Sequence, residues 1–204
     1  MHIIVGLGNP GKEYEDTRHN AGRVILMLIA KKCAFSDWRK DGTLGALVAE
    51  GKLGKEKCMF VLPENFMNTS GASVAPLIPS SSLKARKQAL ANLVVVYDDL
   101  DLPLGSFRIS YNRSSGGHNG VESIIKKVKS QEFYRIRIGL SPQTPSGKTK
   151  RPKGGAEKTV KFLMNTFKDP EMAVLKKESK KIAEAIEMLF AESANKAMSI
   201  FNSN

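Results

Sequence analysis

Apolar residues along this chain come in short blocks divided by Gly, Pro, Asn and Ser, and the spacing inside each block predicts its structure. Residues 2–7 form a brief apolar run, as a buried strand would, and it stops at the turn-forming Gly8-Asn9-Pro10-Gly11. Residues 21–34 are nearly all apolar and long enough for a helix, with Asn20 placed to cap it. Residues 43–53 and 57–62 read as two strands turning near Gly54-Lys55, and Pro63 ends the second. A helix is expected over 67–78, before Ser80-Ser81-Ser82. Asn92 to Tyr97 reads as a central strand running into Asp98-Asp99-Leu100-Asp101. In 105–111, Phe107, Ile109 and Tyr111 share one side of a half-exposed strand.

From Asn119 the period changes. Val121, Ile124, Ile125 and Val128 fall on one helical face, and residues 134–140 return to a strand pattern. The stretch 141–155 holds three prolines, three glycines and four basic residues, so an open, mobile loop is expected. Helices follow over 155–166 and 171–192, the latter with a stripe of Met172, Leu175, Ile182, Ile186 and Leu189. Alternating strands and helices predict an α/β fold with helices covering a central sheet. The adjacent strands at 43–62 make that sheet mixed. Functional residues in such a fold sit just beyond strand ends, which singles out Gly8–Gly11 and Asp98–Asp101.

The 204 residues are expected to form one domain, 1–204. Charge sharpens the picture. The net charge is +12, and from Lys126 to Lys161 there are eleven Lys/Arg against two Glu. A concentrated basic region favours a polyanionic partner such as nucleic acid. The two cysteines, Cys33 and Cys58, lie in apolar surroundings and suggest neither a disulfide scaffold nor a metal knot. The N-terminus has no basic leader pattern, and the longest apolar run, Val24 to Ala30, is too short to span a bilayer. A cytoplasmic protein with no membrane association is expected.

Two motifs mislead. Gly6-Leu7-Gly8-Asn9-Pro10-Gly11 matches the dinucleotide fingerprint in letters, but the polar stretch after it opens no helix on which a pyrophosphate could rest. Gly147-Lys148-Thr149 looks like the end of a phosphate loop, but the required earlier glycine is Pro142. There is no G-x-S-x-G elbow for a serine nucleophile.

Of three histidines, His2 starts a strand, whereas His19 and His118 lie in polar or glycine-rich loops. A loop imidazole titrating near neutral pH suits proton abstraction from water, given a carboxylate to hold its tautomer. Asp98 or Asp99 can supply that carboxylate, and the same aspartates are also compatible with a solvated turn or a divalent-metal cluster. Asn9, Asn68 and Asn119 each stand beside a glycine or turn signal, where a carboxamide can hold a carbonyl or a sugar hydroxyl, or cap a turn. Gly116-Gly117-His118-Asn119-Gly120 leads into a helix start, a natural anion site or a plain helix entry with Asn119 as cap. Arg135 and Arg137 share one side of a strand, and Arg137 is placed for phosphate or for solvent.

Several of these blocks together resemble the bacterial-type peptidyl-tRNA hydrolase family. They are Val5 to Gly11, Tyr14, Thr17 to Gly22, Phe66 to Gly71, Asp98 to Pro103, Gly116 to Gly120 and Arg135 to Gly139, in family order and spacing. The resemblance implies a single α/β domain with a twisted mixed β-sheet flanked by helices. It implies a monomer with no metal, organic cofactor or required protein partner. The implied reaction is hydrolysis of the ester between a peptide and the terminal ribose of tRNA by a His-activated water, releasing tRNA for reuse. By position, His19 corresponds to the base and Asp98 to its orienting carboxylate. Asn9, Asn68 and Asn119 correspond to residues holding the substrate, Tyr14 belongs to the same blocks, Met67 is an apolar wall, and His118 adjoins them. Arg137 corresponds to a tRNA phosphate contact.

The chain also departs from the pattern. Asn65 stands where many relatives have threonine, and Ser110 where a basic residue is common. Arg108 and Arg113 are near enough to replace the latter, and Lys148 and Lys150 are the lysines of the rewritten 141–155 stretch chosen as tRNA contacts. A non-catalytic RNA-binding module explains the charge equally well. It does not explain a histidine, a carboxylate and three loop asparagines occurring together.

Overall fold

The computed structural model describes residues 1–144, 146, 148–150 and 155–203. In chain order its elements are β1 (His2–Gly6), α1 (Ala21–Lys32), β2 (Arg39–Asp41), β3 (Ala46–Leu53), β4 (Glu56–Pro63), α2 (Gly71–Val74), α3 (Leu83–Ala91), β5 (Leu93–Pro103), β6 (Phe107–Tyr111), α4 (Asn119–Val128), β7 (Tyr134–Ser141), α5 (Gly155–Met164), α6 (Asp169–Ala191) and α7 (Ala194–Phe201). The strands form one seven-stranded sheet in the order β2-β3-β4-β1-β5-β7-β6. β4, β1, β5 and β7 run parallel, and the hairpins β2-β3-β4 and β6-β7 make the sheet mixed.

Strand parity divides the core. Ile4, Val94, Val96, Ile136 and Ile138 face α1 and α6, while Val5, Val95, Tyr97 and Phe133 face α4. β5 begins Leu93-Val94-Val95-Val96, entirely buried, because a central parallel strand is covered on both faces. The α6 stripe behaves as its spacing predicts, with Leu175, Ile182, Ile186 and Leu189 buried. Among the described residues no helix is long and apolar enough to cross a membrane.

Several expectations need correction. β2 carries no apolar alternation: Arg39-Lys40-Asp41 pairs through its backbone alone and leaves charged side chains on the sheet edge. α3 buries only Leu90, so its periodicity is faint, yet Ser82 caps it by accepting the Ala85 N–H at 3.1 Å. The helix expected at 67–78 is broken into a 3-10 turn at Met67–Thr69, the single turn α2 and a second 3-10 turn at Ala75–Leu77 containing Pro76. α7, capped by Ser193, follows α6 unanticipated. Part of the loop at 141–155 is paired: Gln143 bridges Thr149, and Lys150 N–H donates to Pro142 C=O at 2.8 Å. Residues 145, 147 and 151–154 lie outside the described residues, and with them Gly147 of the phosphate-loop lookalike.

Two close approaches set the geometry of the cleft. A Cβ on Gly22 would lie 2.1 Å from the Val96 carbonyl oxygen, so only glycine lets the first turn of α1 rest against β5. A Cβ on Gly120 would lie 2.5 Å from Met67 Sδ. Gly22→Ala is therefore expected to lower stability by about 2–3 kcal/mol through overpacking, read as a shift in the urea midpoint; an unchanged midpoint would contradict this packing.

Candidate active site

The first strand ends at Gly6, opposite Val96. Beyond that point β5 continues with no neighbour on its β1 side. The aspartates expected in a loop are instead part of this extension, and the β5–β7 register shifts only between Asp99 and Pro103. Asp98 keeps the parity of Val94 and Val96 and so lies toward α1, whose leading turn carries His19. Here a cleft of about 1050 Å³ opens, lined by Asn9, His19, Met67, Asn68, Asp98, His118 and Asn119 among others.

At its floor one carboxylate meets two imidazoles. His19 Nδ1 lies 3.0 Å from Asp98 Oδ1 and 3.2 Å from Oδ2, and His118 Nε2 lies 3.0 Å from the same Oδ1. Hydrogen-bond partners assign the protons. The Val121 N–H donates to His118 Nδ1 at 3.3 Å, so that nitrogen is the acceptor and His118 donates from Nε2 to Asp98. His118, rather than Asn119, is thus the cap of α4. His19 donates from Nδ1, which leaves its Nε2 lone pair for the cleft. Burial opposes ionisation of Asp98, but attraction to His19 and His118 outweighs it and holds the carboxyl well below the usual carboxylate range. Burial likewise lowers the basicity of His19, but Asp98 more than compensates and raises its pKa above 6.5.

The backbone around His19 is held on both sides. Before it, Arg18 N–H donates to Asn165 C=O, and the buried Arg18 guanidinium, 4.6 Å from the Phe162 ring centre, grips both oxygens of Glu171 at 2.9 and 2.7 Å. After it, Asn20 does not cap α1 through its side chain. Its carboxamide instead takes the Asn9 N–H at 2.8 Å and donates to the Asn9 C=O at 2.9 Å. Asn9 Oδ1 in turn accepts the Met67 N–H at 2.8 Å. Three segments distant in sequence are therefore stitched together, with the Asn9 amide NH2 left without a protein acceptor among the described residues. Neither the Arg18–Glu171 clamp nor the Asn20 link was visible in the sequence, because both join residues whose partners are brought together only by the fold.

Asn68 and Asn119 line the cleft as exposed side chains. Tyr14 stands one step back: its ring meets Phe66 edge-on at 6.3 Å, and Phe66 lines the cleft. Arg137 lines it too, but is paired with Asp99 at 2.9 Å, so Asp99 serves the arginine and Asp98 the histidines. Ser110 and Arg113 also line the cleft; exposed Arg108 sits directly across from Arg137 in the β6–β7 pair. Arg135 shares the face of Arg137 but is fully buried over Phe133, and neither lies on an edge strand, because β6 rather than β7 forms the sheet edge. Lys148 and Lys150 are exposed outside the cleft lining. His2 lies elsewhere, bonded to Glu56 and stacked on Phe190. Burial pushes the Cys58 thiol up to about 11, which leaves it unreactive.

The ligand atoms of His19, Asp98 and His118 lie within 4.8 Å of one another, a spacing compatible with a metal. His118 argues otherwise, because its Nδ1 already accepts the Val121 N–H, so its Nε2 carries the proton and has no lone pair to offer. EDTA is expected to leave the rate of a clean preparation unchanged. Full inhibition, reversed by added divalent metal, would make this cluster a metal centre.

Comparison with known proteins identifies the family. The family model described as peptidyl-tRNA hydrolase matches residues 3–204. A peptidyl-tRNA hydrolase of Brevibacillus brevis is 41% identical over 203 residues, covering 100% of this chain and 98% of the relative. One from Carboxydothermus hydrogenoformans is 40% identical over 202 residues, covering 99% and 98%. The crystal structure of peptidyl-tRNA hydrolase from Acinetobacter baumannii superposes with a TM-score of 0.81 at 26% identity, covering 100% of this chain and 95% of that one. The fold, the match along almost the whole length and these relatives place the chain in the peptidyl-tRNA hydrolase family, a family of ester-cleaving enzymes.

Proposed function

We propose that this protein hydrolyses the ester between a peptide and the terminal ribose of tRNA through water activated by His19. The observation that carries the reading is the 3.0 Å contact of His19 Nδ1 with the buried Asp98 carboxylate at the floor of the cleft. Asp98 accepts the Nδ1–H, fixing the tautomer in which Nε2 is a base. Nε2 takes a proton from water as the water oxygen bonds to the peptidyl carbonyl carbon. Carboxamide N–H groups of Asn9, Asn68 or Asn119 meet the developing oxyanion, each worth about 3 kcal/mol in a favourable site. The intermediate then expels the ribose oxygen, which recovers the proton from His19. The products are a free peptide carboxylate and tRNA with an intact terminal hydroxyl.

Met67 supplies an apolar wall, and Tyr14 supports it through Phe66. His118 holds Asp98 from the other side. Arg137 and Arg113, with Arg108 beside them, face the phosphates next to the ester, while Lys148 and Lys150 lie farther out. The reading calls for no metal, cofactor or second subunit, and for a monomer acting in the cytoplasm. The test is release of free peptide from purified peptidyl-tRNA. Tight tRNA binding without release would favour the RNA-binding module instead.

A further inference from the structure

One edge of the sheet is closed by a single side chain. β6 is the last strand in the order and pairs on one side only, with β7. In that antiparallel ladder Ser106 C=O accepts the Gly139 N–H, and Arg108 and Ser110 stand opposite Arg137 and Arg135. Inward and outward backbone groups alternate along such a strand, so those of Phe107, Ile109 and Tyr111 point away from the sheet. Asn202, the residue that ends α7, meets the middle one. Its Oδ1 accepts the Ile109 N–H at 2.8 Å, and its Nδ2 donates to the Ile109 C=O at 2.9 Å. These are the two bonds that a residue of an added antiparallel strand would make there. Phe201, one position earlier, holds the clip over the strand, its ring centre 5.8 Å from that of Phe107.

The edge behind the clip has the properties of a pairing site. The opposite edge, β2, is three residues long and wholly charged, which discourages a further strand. β6 is five residues long, in unbroken register with β7, and carries one charge, Arg108. Beside it Tyr111 and Ile200 of α7 are exposed by 42% and 45%, large apolar side chains left in water. The strand also matches itself. When two β6 strands run antiparallel with Ile109 against Ile109, Phe107 stands opposite Tyr111 and Arg108 opposite Ser110. The arginines then avoid each other, and the outward N–H and C=O groups of one strand meet those of the other.

We propose that the β6 edge is a pairing surface for a second copy of this chain, held shut by the Asn202 carboxamide, and that release of this clip joins two sheets across a two-fold axis. The proposal is independent of the reaction assigned to the cleft. A second copy fits better than an unrelated peptide because the register is self-complementary, the condition for an isologous contact. The contact is short: five residues span about 17 Å at roughly 3.4 Å each. Such a pair makes a weak dimer. Two hydrogen bonds within the chain suffice to outcompete it, since the tethered carboxamide acts at a high effective concentration.

Asn202→Ala tests this, beside Asn202→Asp, which keeps an acceptor for the Ile109 N–H but has no donor for its C=O. Self-association is measured by sedimentation over a wide range of concentration, exchange of the Ile109 amide by NMR at a dilution where every variant is monomeric, and folding by circular dichroism. The parent should stay monomeric. Asn202→Ala should exchange the Ile109 amide about 10-fold faster or more. It should dimerise at concentrations about 10-fold or more below the highest at which the parent is still a monomer. Asn202→Asp should fall between the two, and it decides the question in the same way if the alanine variant does not fold. Adding Tyr111→Pro, which removes an outward N–H without touching a bond to β7, should return Asn202→Ala to a monomer. A parent that already pairs through β6, a folded Asn202→Ala protein that stays monomeric, or pairing that survives Tyr111→Pro would overturn the proposal. Unchanged exchange at Ile109 would show that Asn202 closes nothing.

Discussion

Replacing His19 with alanine should lower turnover of peptidyl-tRNA by at least about 100-fold while leaving tRNA affinity intact, since positioned proton transfer typically contributes 10²–10⁴-fold. The separation follows from the layout. His19 is bonded to Asp98 rather than to a cation of the cleft wall, so its removal should leave the phosphate-facing surface unchanged. Nor does it strand a buried charge, because His118 Nε2 still donates to Asp98 at 3.0 Å. The variant should therefore fold. Single-turnover cleavage and equilibrium tRNA binding on the same preparation read the two halves of the prediction. Near-normal cleavage would remove His19 from the mechanism, and loss of both properties would point to a structural role.

The second large effect is expected for Asp98→Asn. Two N–H donors converge on the carboxylate, from His19 Nδ1 and His118 Nε2. In the carboxamide the oxygen can take the place of Oδ1, which both rings share, but the NH2 then stands in the place of Oδ2, 3.2 Å from His19 Nδ1, and opposes a proton there. His118 is the ring held in place, because its Nδ1 already accepts the Val121 N–H. His19 is the ring that switches, and its Nε2 then bears the proton and cannot take one from water. Cleavage should slow by about 10²–10⁴-fold with the fold retained.

The pH profile gives this prediction a sign. In the parent, Asp98 raises the His19 pKa against the effect of burial, so the active neutral base appears as pH rises through a value above 6.5. Asp98 is held ionised far below that range, so one group governs the acid limb. Removing the carboxylate leaves burial to act alone, and the midpoint should fall while the plateau drops. A midpoint that rises, or an unchanged rate at neutral pH, would contradict the pairing.

How far the sequence revealed this site depends on the range of each interaction. The blocks around Asn9, His19, Asn68, Asp98 and Asn119 were readable because loop chemistry is local: a glycine, a turn former and a functional side chain within a few residues. Asp98 and Asp99 could not be told apart from composition. Strand parity separates them, sending Asp98 to the histidines and Asp99 to Arg137. The cap of α4 was open for the same kind of reason. Asn119 is the better capper by residue type, but His118 occupies the geometry. Asn20 had the chemistry of a cap and found a stronger use in tying down Asn9. The lysines of α4 stand out in the charge map, whereas α3, with one buried residue, leaves too weak a period to be read as a helix.

By itself the sequence determined the α/β alternation, the buried central strand, the amphipathic α4 and α6, and the concentration of positive charge, because side-chain periodicity and solvation act along the chain. Tertiary structure alone decided which carboxylate meets which imidazole, that a second histidine shares it, and that Arg135 is buried while Arg137 reaches the cleft. Those outcomes turn on where β1 stops, how closely Gly22 lets α1 approach β5, and which strand is left at the sheet edge. Such contacts join residues about 80 positions apart, and no local pattern encodes them.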